Sequence, residues 1–150
     1  THTKWVRMEA GRVQSLTTAL TGELFALLQD HSILLPRSDV VFAQPFDETS
    51  FLSGVDLMAL HPGKLLHALF STRTRVLTLG TGDAPSYLSG LVIGSDVQTA
   101  LNSSVQPSTI VEIIGAPALA EKYAMAIHRL GHECNVLDGV DAVYAGFMAL

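Results

Sequence analysis

The stretch Ile110-Val111-Glu112-Ile113-Ile114-Gly115-Ala116-Pro117-Ala118-Leu119 constrains the fold of this chain more than any other. It reads as a buried strand that halts at a run of small residues, with a helix beginning directly afterwards. Small residues leave room beside the backbone at the strand's C-terminal end, and a helix N-terminus offers unpaired N–H groups there. In α/β proteins a nucleotide or another anion favours such a place. Ordinary strand-to-helix packing uses the same residues, so the turn alone leaves both readings open. Cys134-Asn135-Val136-Leu137-Asp138-Gly139 repeats the pattern before a final helix to Leu150.

Composition narrows the class. The 150 residues suit one domain, and 48% hydrophobic against 15% charged residues excludes a disordered chain. A net charge of -5 lacks the basic footprint of a nucleic-acid binder. The single cysteine, Cys134, has no partner for an internal disulfide, which points to a reducing cytoplasmic setting. No apolar run approaches the ~20 residues of a membrane span; Leu91-Val92-Ile93 is soon followed by Asp96. The charged start from Lys4 to Arg7 is not followed by the apolar segment of a signal peptide. A chain opening at Thr1 almost directly into strand-like sequence suggests a fragment of a longer protein.

Alternation over Lys4–Glu9 and strand-like sequence over Val13–Leu20, joined by Ala10-Gly11, predict an antiparallel hairpin. Thr21 is expected to cap a helix with Leu24, Leu27 and Leu28 on one face and Glu23 in its first turn. Leu34–Pro45 reads as loop. Phe51, Leu52, Val55 and Met58 or Leu57 recur at helical spacing up to His61-Pro62-Gly63, and Leu65, Leu66, Leu69 and Phe70 continue as another helix. A third long helix spans Tyr87–Leu101 with Leu88, Leu91 and Val92 inward, and a polar loop follows over Asn102–Ser108. The helix Leu119–Leu130 presents Leu119, Tyr123, Ile127 and Leu130 on one face until Gly131 stops it. Hairpin, helical middle and βαβα ending make a layered α/β domain.

Most chemical candidates have plain explanations. Val76–Gly82 imitates the start of a dinucleotide fingerprint, but Pro85 occupies the third glycine position, so helix capping by Thr81 or Asp83 explains it better. His2, His31, His61, His67, His128 and His132 show no zinc-site spacing with a cysteine or carboxylate and read as surface or helix-end residues. Gly90 and Gly94 predict close packing against a neighbouring helix. No Gly-x-Ser-x-Gly elbow exists, since Ser89-Gly90 lies in a helical pattern. Asp138, Asp141 and Glu23 read as helix caps or dipole partners, and no self-contained catalytic set emerges. Thr1-His2-Thr3-Lys4 differs: two hydroxyls and a cation at the start of a hairpin suit phosphate oxygens. With the Gly115 turn it suggests two sides of one nucleotide cleft.

Five segments together carry a family resemblance. Thr1-His2-Thr3-Lys4-Trp5-Val6, Thr21-Gly22-Glu23-Leu24-Phe25-Ala26-Leu27-Leu28 and Tyr87-Leu88-Ser89-Gly90-Leu91-Val92-Ile93-Gly94 resemble the 2-keto-3-deoxygalactonate kinase family. So do Gly115-Ala116-Pro117-Ala118-Leu119 and Leu137-Asp138-Gly139-Val140-Asp141-Ala142-Val143, in collinear order over essentially the whole chain. The resemblance implies the sugar kinase/Hsp70/actin superfamily, whose two RNase H-like domains close over ATP and substrate. It implies that residues 1–150 are the C-terminal, nucleotide-side domain, with the N-terminal domain absent. Cofactor contacts would then fall at Thr1, His2, Thr3 and Lys4 on the phosphate hairpin, at Thr21 and Gly22 lining the cleft, and at Gly115, Ala116 and Leu119 on the adenosine turn. No catalytic residue or metal ligand carries over to this chain. The implied reaction is ATP- and Mg2+-dependent phosphorylation of 2-dehydro-3-deoxy-D-galactonate at its 6-hydroxyl in bacterial galactonate catabolism, with the metal held mostly outside this chain. The implied partners are the N-terminal domain and the small sugar acid, with self-association through an exposed cleft face. Two alternatives stand beside it: a non-catalytic nucleotide-binding or protein-interaction module with the same half-fold, and a helix-rich partner-binding domain.

Overall fold

The computed structural model describes residues 2–36, 45–80, 82–104 and 109–148. Strands β1 (Thr3–Glu9) and β2 (Arg12–Ala19) form the expected antiparallel hairpin. Ala10 (φ 49°) and Gly11 (φ 74°) both occupy the left-handed region, the geometry of a two-residue turn whose twist matches the strands it joins. Helices α1 (Thr21–His31), α2 (Glu48–Leu60), α3 (Leu65–Leu79) and α4 (Ala84–Ser104) build the helical middle. The chain ends as β3 (Val111–Gly115), α5 (Pro117–Arg129), β4 (Cys134–Asp138) and α6 (Gly139–Met148), with β3 and β4 parallel. The architecture is α/β, with two separate two-stranded sheets among the described residues.

Helix α4 is the axis of the core. Leu88 and Leu91 are fully buried and Val92 nearly so, as its periodicity requires. Phe51 and Val55 of α2 pack with Ile93 and Val97 of α4 and with Tyr123 and Ile127 of α5. The contact between α2 and α4 needs glycine. A Cβ on Gly90 would lie 1.9 Å from the Phe51 carbonyl oxygen, and one on Gly94 would lie 2.8 Å from Val55 Cα. Gly54 meets the facing backbone at Tyr87 in the same way, its Cβ position 2.6 Å from that carbonyl oxygen.

Several expectations are corrected. Thr21 does not cap α1: Leu20 holds the cap position, and the buried Thr21 hydroxyl donates to Asp96 instead, a charged acceptor within reach inside the core. On α1 the inward side chains are Leu24, Phe25 and Leu28, while Leu27 is half exposed, because the helix turns that stripe toward Leu34, Leu35 and α4. Leu34 and Leu35 lie in the loop as expected, yet their side chains are core; residues 37–44 of that loop lie outside the described residues. The polar loop expected from Asn102 starts later, since α4 runs to Ser104; residues 105–108 are outside the described set.

β3 is buried on one face only. Val111 and Ile113 pack on the core, whereas Ile114 is 59% exposed, because the helix layer of α5 covers a single face of this two-stranded sheet. Val76–Leu79 closes α3 rather than forming a strand, and Gly80 (φ 92°) ends it, which removes the dinucleotide fingerprint. Thr81 lies outside the described residues.

Asp83 is occupied by other groups: its Oδ2 accepts from Arg75 and, at 2.8 Å, from Ser50. The Arg75 guanidinium also sits 4.5 Å above the Tyr87 ring, so this cluster ties α2, α3 and α4 together. Burial works against ionisation of Asp83, yet the bonds from Arg75 and Ser50 and the guanidinium charge outweigh it and hold its carboxyl below the ordinary value. The Arg129 hydrogen bonds, both 2.7 Å, lower Asp56 as well. A depressed folded pKa contributes stability above the unfolded value of about 4 and loses it as pH falls through the folded value. The urea midpoint should therefore hold from pH 7 to about 5 and drop below pH 4. Asp83→Asn should start lower and fall less steeply; a parallel fall would show that Asp83 carries no share of the acid loss.

Candidate functional site

The hairpin, α1, α4 and α5 enclose a pocket of about 240 Å³. His2 and Thr3 approach it from the hairpin, Thr21 and Gly22 from the start of α1, and Leu119, Lys122 and Tyr123 from the first turns of α5. Phe25, Val92 and Ile93 supply the apolar floor and Ser89 a hydroxyl. A shallower hollow of about 210 Å³ lies on the other side of Thr21, lined by Leu24, Leu65 and Asp96 among others.

One carboxylate joins the walls. Asp96 on α4 accepts from Trp5 Nε1 of β1 at 2.9 Å, from the Thr21 hydroxyl of α1 at 2.6 Å and from the Tyr123 hydroxyl of α5 at 2.7 Å. Tyr123 in turn lies 2.5 Å from Thr3 Oγ1. Burial, aided by the Asp96 charge and opposed by the bond from Thr3, pushes the Tyr123 phenol well above its ordinary pKa, so it stays protonated.

The mouth carries mixed charge. His2 Nε2 lies 2.7 Å from Glu23 Oε2, an exposed pair in which the carboxylate offsets any imidazolium. The Lys122 ammonium, 5.0 Å from the centre of the Phe46 ring, is a pocket-lining cation.

Five of the nine residues proposed from sequence thus meet in one pocket: His2, Thr3, Thr21, Gly22 and Leu119. Thr1 lies outside the described residues. Lys4 is exposed and absent from the pocket wall, as strand alternation turns it away from Thr3. Gly115 and Ala116 also stand outside the wall, at the entry to α5. A Cβ at Gly115 would meet nothing within 4 Å, so the room expected beside this turn exists. Its donors are few, however. Pro117 has no N–H, and the amides of Leu119 and Ala120 bond to the Ala116 carbonyl at 3.0 and 2.9 Å. Such a turn suits an uncharged ring better than a phosphate.

Sequence reasoning missed Asp96, Tyr123 and Lys122 as parts of the site. The available signal was Asp96 itself, a lone carboxylate in an otherwise apolar stretch of α4; Tyr123 was legible only as a core position. His128 is exposed in the last turn of α5, as expected of a surface or helix-end histidine, and its Nε2 lies 3.4 Å from Cys134 Sγ. Burial, then Glu133 and Glu112, push the Cys134 thiol up, away from thiolate chemistry. Among the described residues no three His, Cys, Asp or Glu side chains stand close enough to hold a metal ion. No helix of the described residues is long and apolar enough to cross a membrane. Asp138 does act as a cap, its Oδ1 accepting from the amides of Val140 and Asp141.

The sequence pattern of the 2-keto-3-deoxy-galactonokinase family matches residues 1–150. The chain belongs to this family. It is 32% identical over 154 residues to a protein of Rhizobium meliloti (strain 1021) named "Probable 2-dehydro-3-deoxygalactonokinase", covering 99% of this chain and 49% of that one. Against the 2-dehydro-3-deoxygalactonokinase of Escherichia coli (strain K12) the identity is 28%, over 100% of this chain and 50% of its relative. A crystal structure assigned to a 2-dehydro-3-deoxygalactonokinase of Sinorhizobium meliloti matches with a TM-score of 0.88 at 33% identity, over 99% of this chain and 50% of that one. The chain therefore spans about half the length of the curated galactonokinase relatives it matches.

Proposed function

We propose that this chain is the C-terminal, nucleotide-side domain of a sugar-acid kinase, an RNase H-like unit whose pocket takes ATP. One observation carries the proposal: four segments of the family pattern, far apart in sequence, converge on a single cleft through His2 and Thr3, Thr21 and Gly22, Ser89, Val92 and Ile93, and Leu119. The cleft's roughly 240 Å³ falls below the roughly 300–1,000 Å³ of complete small-molecule sites. That size fits one side of a nucleotide site whose other wall belongs to a second domain.

The division of labour follows from the chemistry of the walls. The apolar floor and the donor-poor Gly115–Leu119 turn receive the base and sugar, and Lys122 with His2 faces the phosphates. In the reaction the 6-hydroxyl oxygen of 2-dehydro-3-deoxy-D-galactonate attacks the γ-phosphorus, the bond to ADP breaks, and the hydroxyl proton passes to a base outside this chain. Positioning and charge stabilisation supply most of such catalysis. Mg2+ neutralises the phosphates when bound, and its ligands, like most sugar contacts, belong to the N-terminal domain. The setting is cytoplasmic, and the chain by itself transfers no phosphoryl group.

Calorimetry and thermal shift test the pocket. ATP at a hundredfold excess over Kd should stabilise the chain by about 2.7 kcal/mol, and Lys122→Ala should weaken binding about tenfold, the order of one charge-assisted bond. No ATP-dependent shift at millimolar nucleotide would overturn the pocket assignment. ADP release with the sugar acid should stay at background; turnover would show that the chain is catalytically complete.

A further inference from the structure

Asp96 stands behind the wall of the larger pocket, yet pocket residues depend on it. Thr21 and Tyr123 bond to Asp96 directly, and Thr3 bonds to Tyr123. The order of the protons follows from the groups themselves. A carboxylate has no proton to give, so Asp96 Oδ2 accepts from both hydroxyls. The one hydroxyl proton of Tyr123 is spent on Asp96, so its oxygen can only accept from Thr3. The one hydroxyl proton of Thr3 is spent on Tyr123. What Thr3 Oγ1 turns to the pocket is therefore a lone pair.

We infer that Asp96 is a positioning residue which, acting through Tyr123, fixes the Thr3 hydroxyl as a hydrogen-bond acceptor, so that Thr3 meets an O–H donor of the ligand and not a phosphate oxygen. This reverses the role expected of Thr3 from the hairpin sequence, where its hydroxyl would donate to phosphate. The donor is a nucleotide ribose hydroxyl or a water carried by the nucleotide's metal, two sources of the same chemistry. The ligand's identity rests on the nucleotide reading above; the proton order does not. Trp5 Nε1 donates to the other Asp96 oxygen, so β1 and α5 are tied to the same residue.

Two measurements on the full chain test it. In 13Cζ-tyrosine NMR, with the Tyr123 resonance assigned through Tyr123→Phe, Asp96→Asn and Thr3→Val should move that resonance in opposite directions. Asp96→Asn weakens the bond the phenol donates by replacing a charged acceptor with a neutral amide oxygen, and Thr3→Val removes a bond it accepts; shifts in the same direction overturn the proton order. In calorimetry with MgATP, Thr3→Val should weaken binding about tenfold. The loss should vanish with 2′,3′-dideoxy-ATP if the donor is a ribose hydroxyl, or with ATP in EDTA if it is a metal-bound water. A loss undiminished in both arms means that Thr3 donates to phosphate and overturns the inference. If Asp96→Asn does not fold, the double variant Thr3→Val/Tyr123→Phe decides. It should bind no more weakly than the worse single variant, and additive losses refute the coupling. Absence of any MgATP binding by the unaltered chain would refute the nucleotide reading, while the NMR shifts still decide the proton order.

Discussion

Gly90→Ala is expected to lower stability by about 3 kcal/mol, a large share of the roughly 5–15 kcal/mol that holds a domain folded. Alanine is worth up to about 1 kcal/mol over glycine in a helix interior. That gain is lost because the new methyl would sit 1.9 Å from the Phe51 carbonyl oxygen. Backbone cannot rotate aside as a side chain can. Helices α2 and α4 would have to separate, loosening Phe51, Val55 and Val97, all fully buried. Gly146→Ala on α6 is the matched control, since a Cβ there meets nothing within 4 Å. It should be neutral or stabilising by up to about 1 kcal/mol. Urea unfolding of both variants settles the comparison, and a Gly90→Ala chain as stable as its parent would refute the close helix approach.

Asp96→Ala is expected to cost about as much, roughly 4 kcal/mol, by a different route. It leaves Trp5 Nε1, the buried Thr21 hydroxyl and the Tyr123 hydroxyl without their acceptor. Each stranded donor costs on the order of 1–3 kcal/mol, and the losses overlap because the groups share one site. The damage should also be local. The hairpin is exposed along most of its length and reaches the body through Thr3 and Trp5, so its amides should exchange faster with solvent than those of α2 and α4. Hydrogen exchange read by mass spectrometry separates the outcomes. A loss below about 1 kcal/mol, or equal acceleration everywhere, would mean that Asp96 does not anchor the hairpin.

The elements themselves were legible because they obey local rules. Ala10-Gly11 between alternating segments marks the hairpin, His61-Pro62-Gly63 ends α2, and Gly131 (φ 81°) ends the segment after α5. The periodicity of Leu88, Leu91 and Val92 identified the inward face of α4, and the small residues along it announced close packing. The errors share a cause too. A threonine before a helix looks like a cap, and only the arrival of Asp96 from 75 residues away makes it a core hydrogen-bond donor. An apolar strand looks buried, and only the number of layers packed on the β3–β4 sheet leaves Ile114 exposed.

The candidate site divides along the same line. The residue types of Thr1–Lys4, Thr21-Gly22 and Gly115–Leu119 marked segments with ligand-binding character, because hydroxyls, small residues and helix starts are local properties. Which of them share a pocket was decided by the packing of β1, α1 and α5 around α4. That packing turned Lys4 outward, left Gly115 and Ala116 at the entry, and brought in Lys122. The sequence by itself determined the order of elements, a close approach of some neighbour at Gly90 and Gly94, and the resemblance to a kinase family. The tertiary structure alone decided how the hydroxyl protons run from Thr3 through Tyr123 to Asp96. Hydrogen bonds between residues up to 120 positions apart depend on distances that no local pattern encodes.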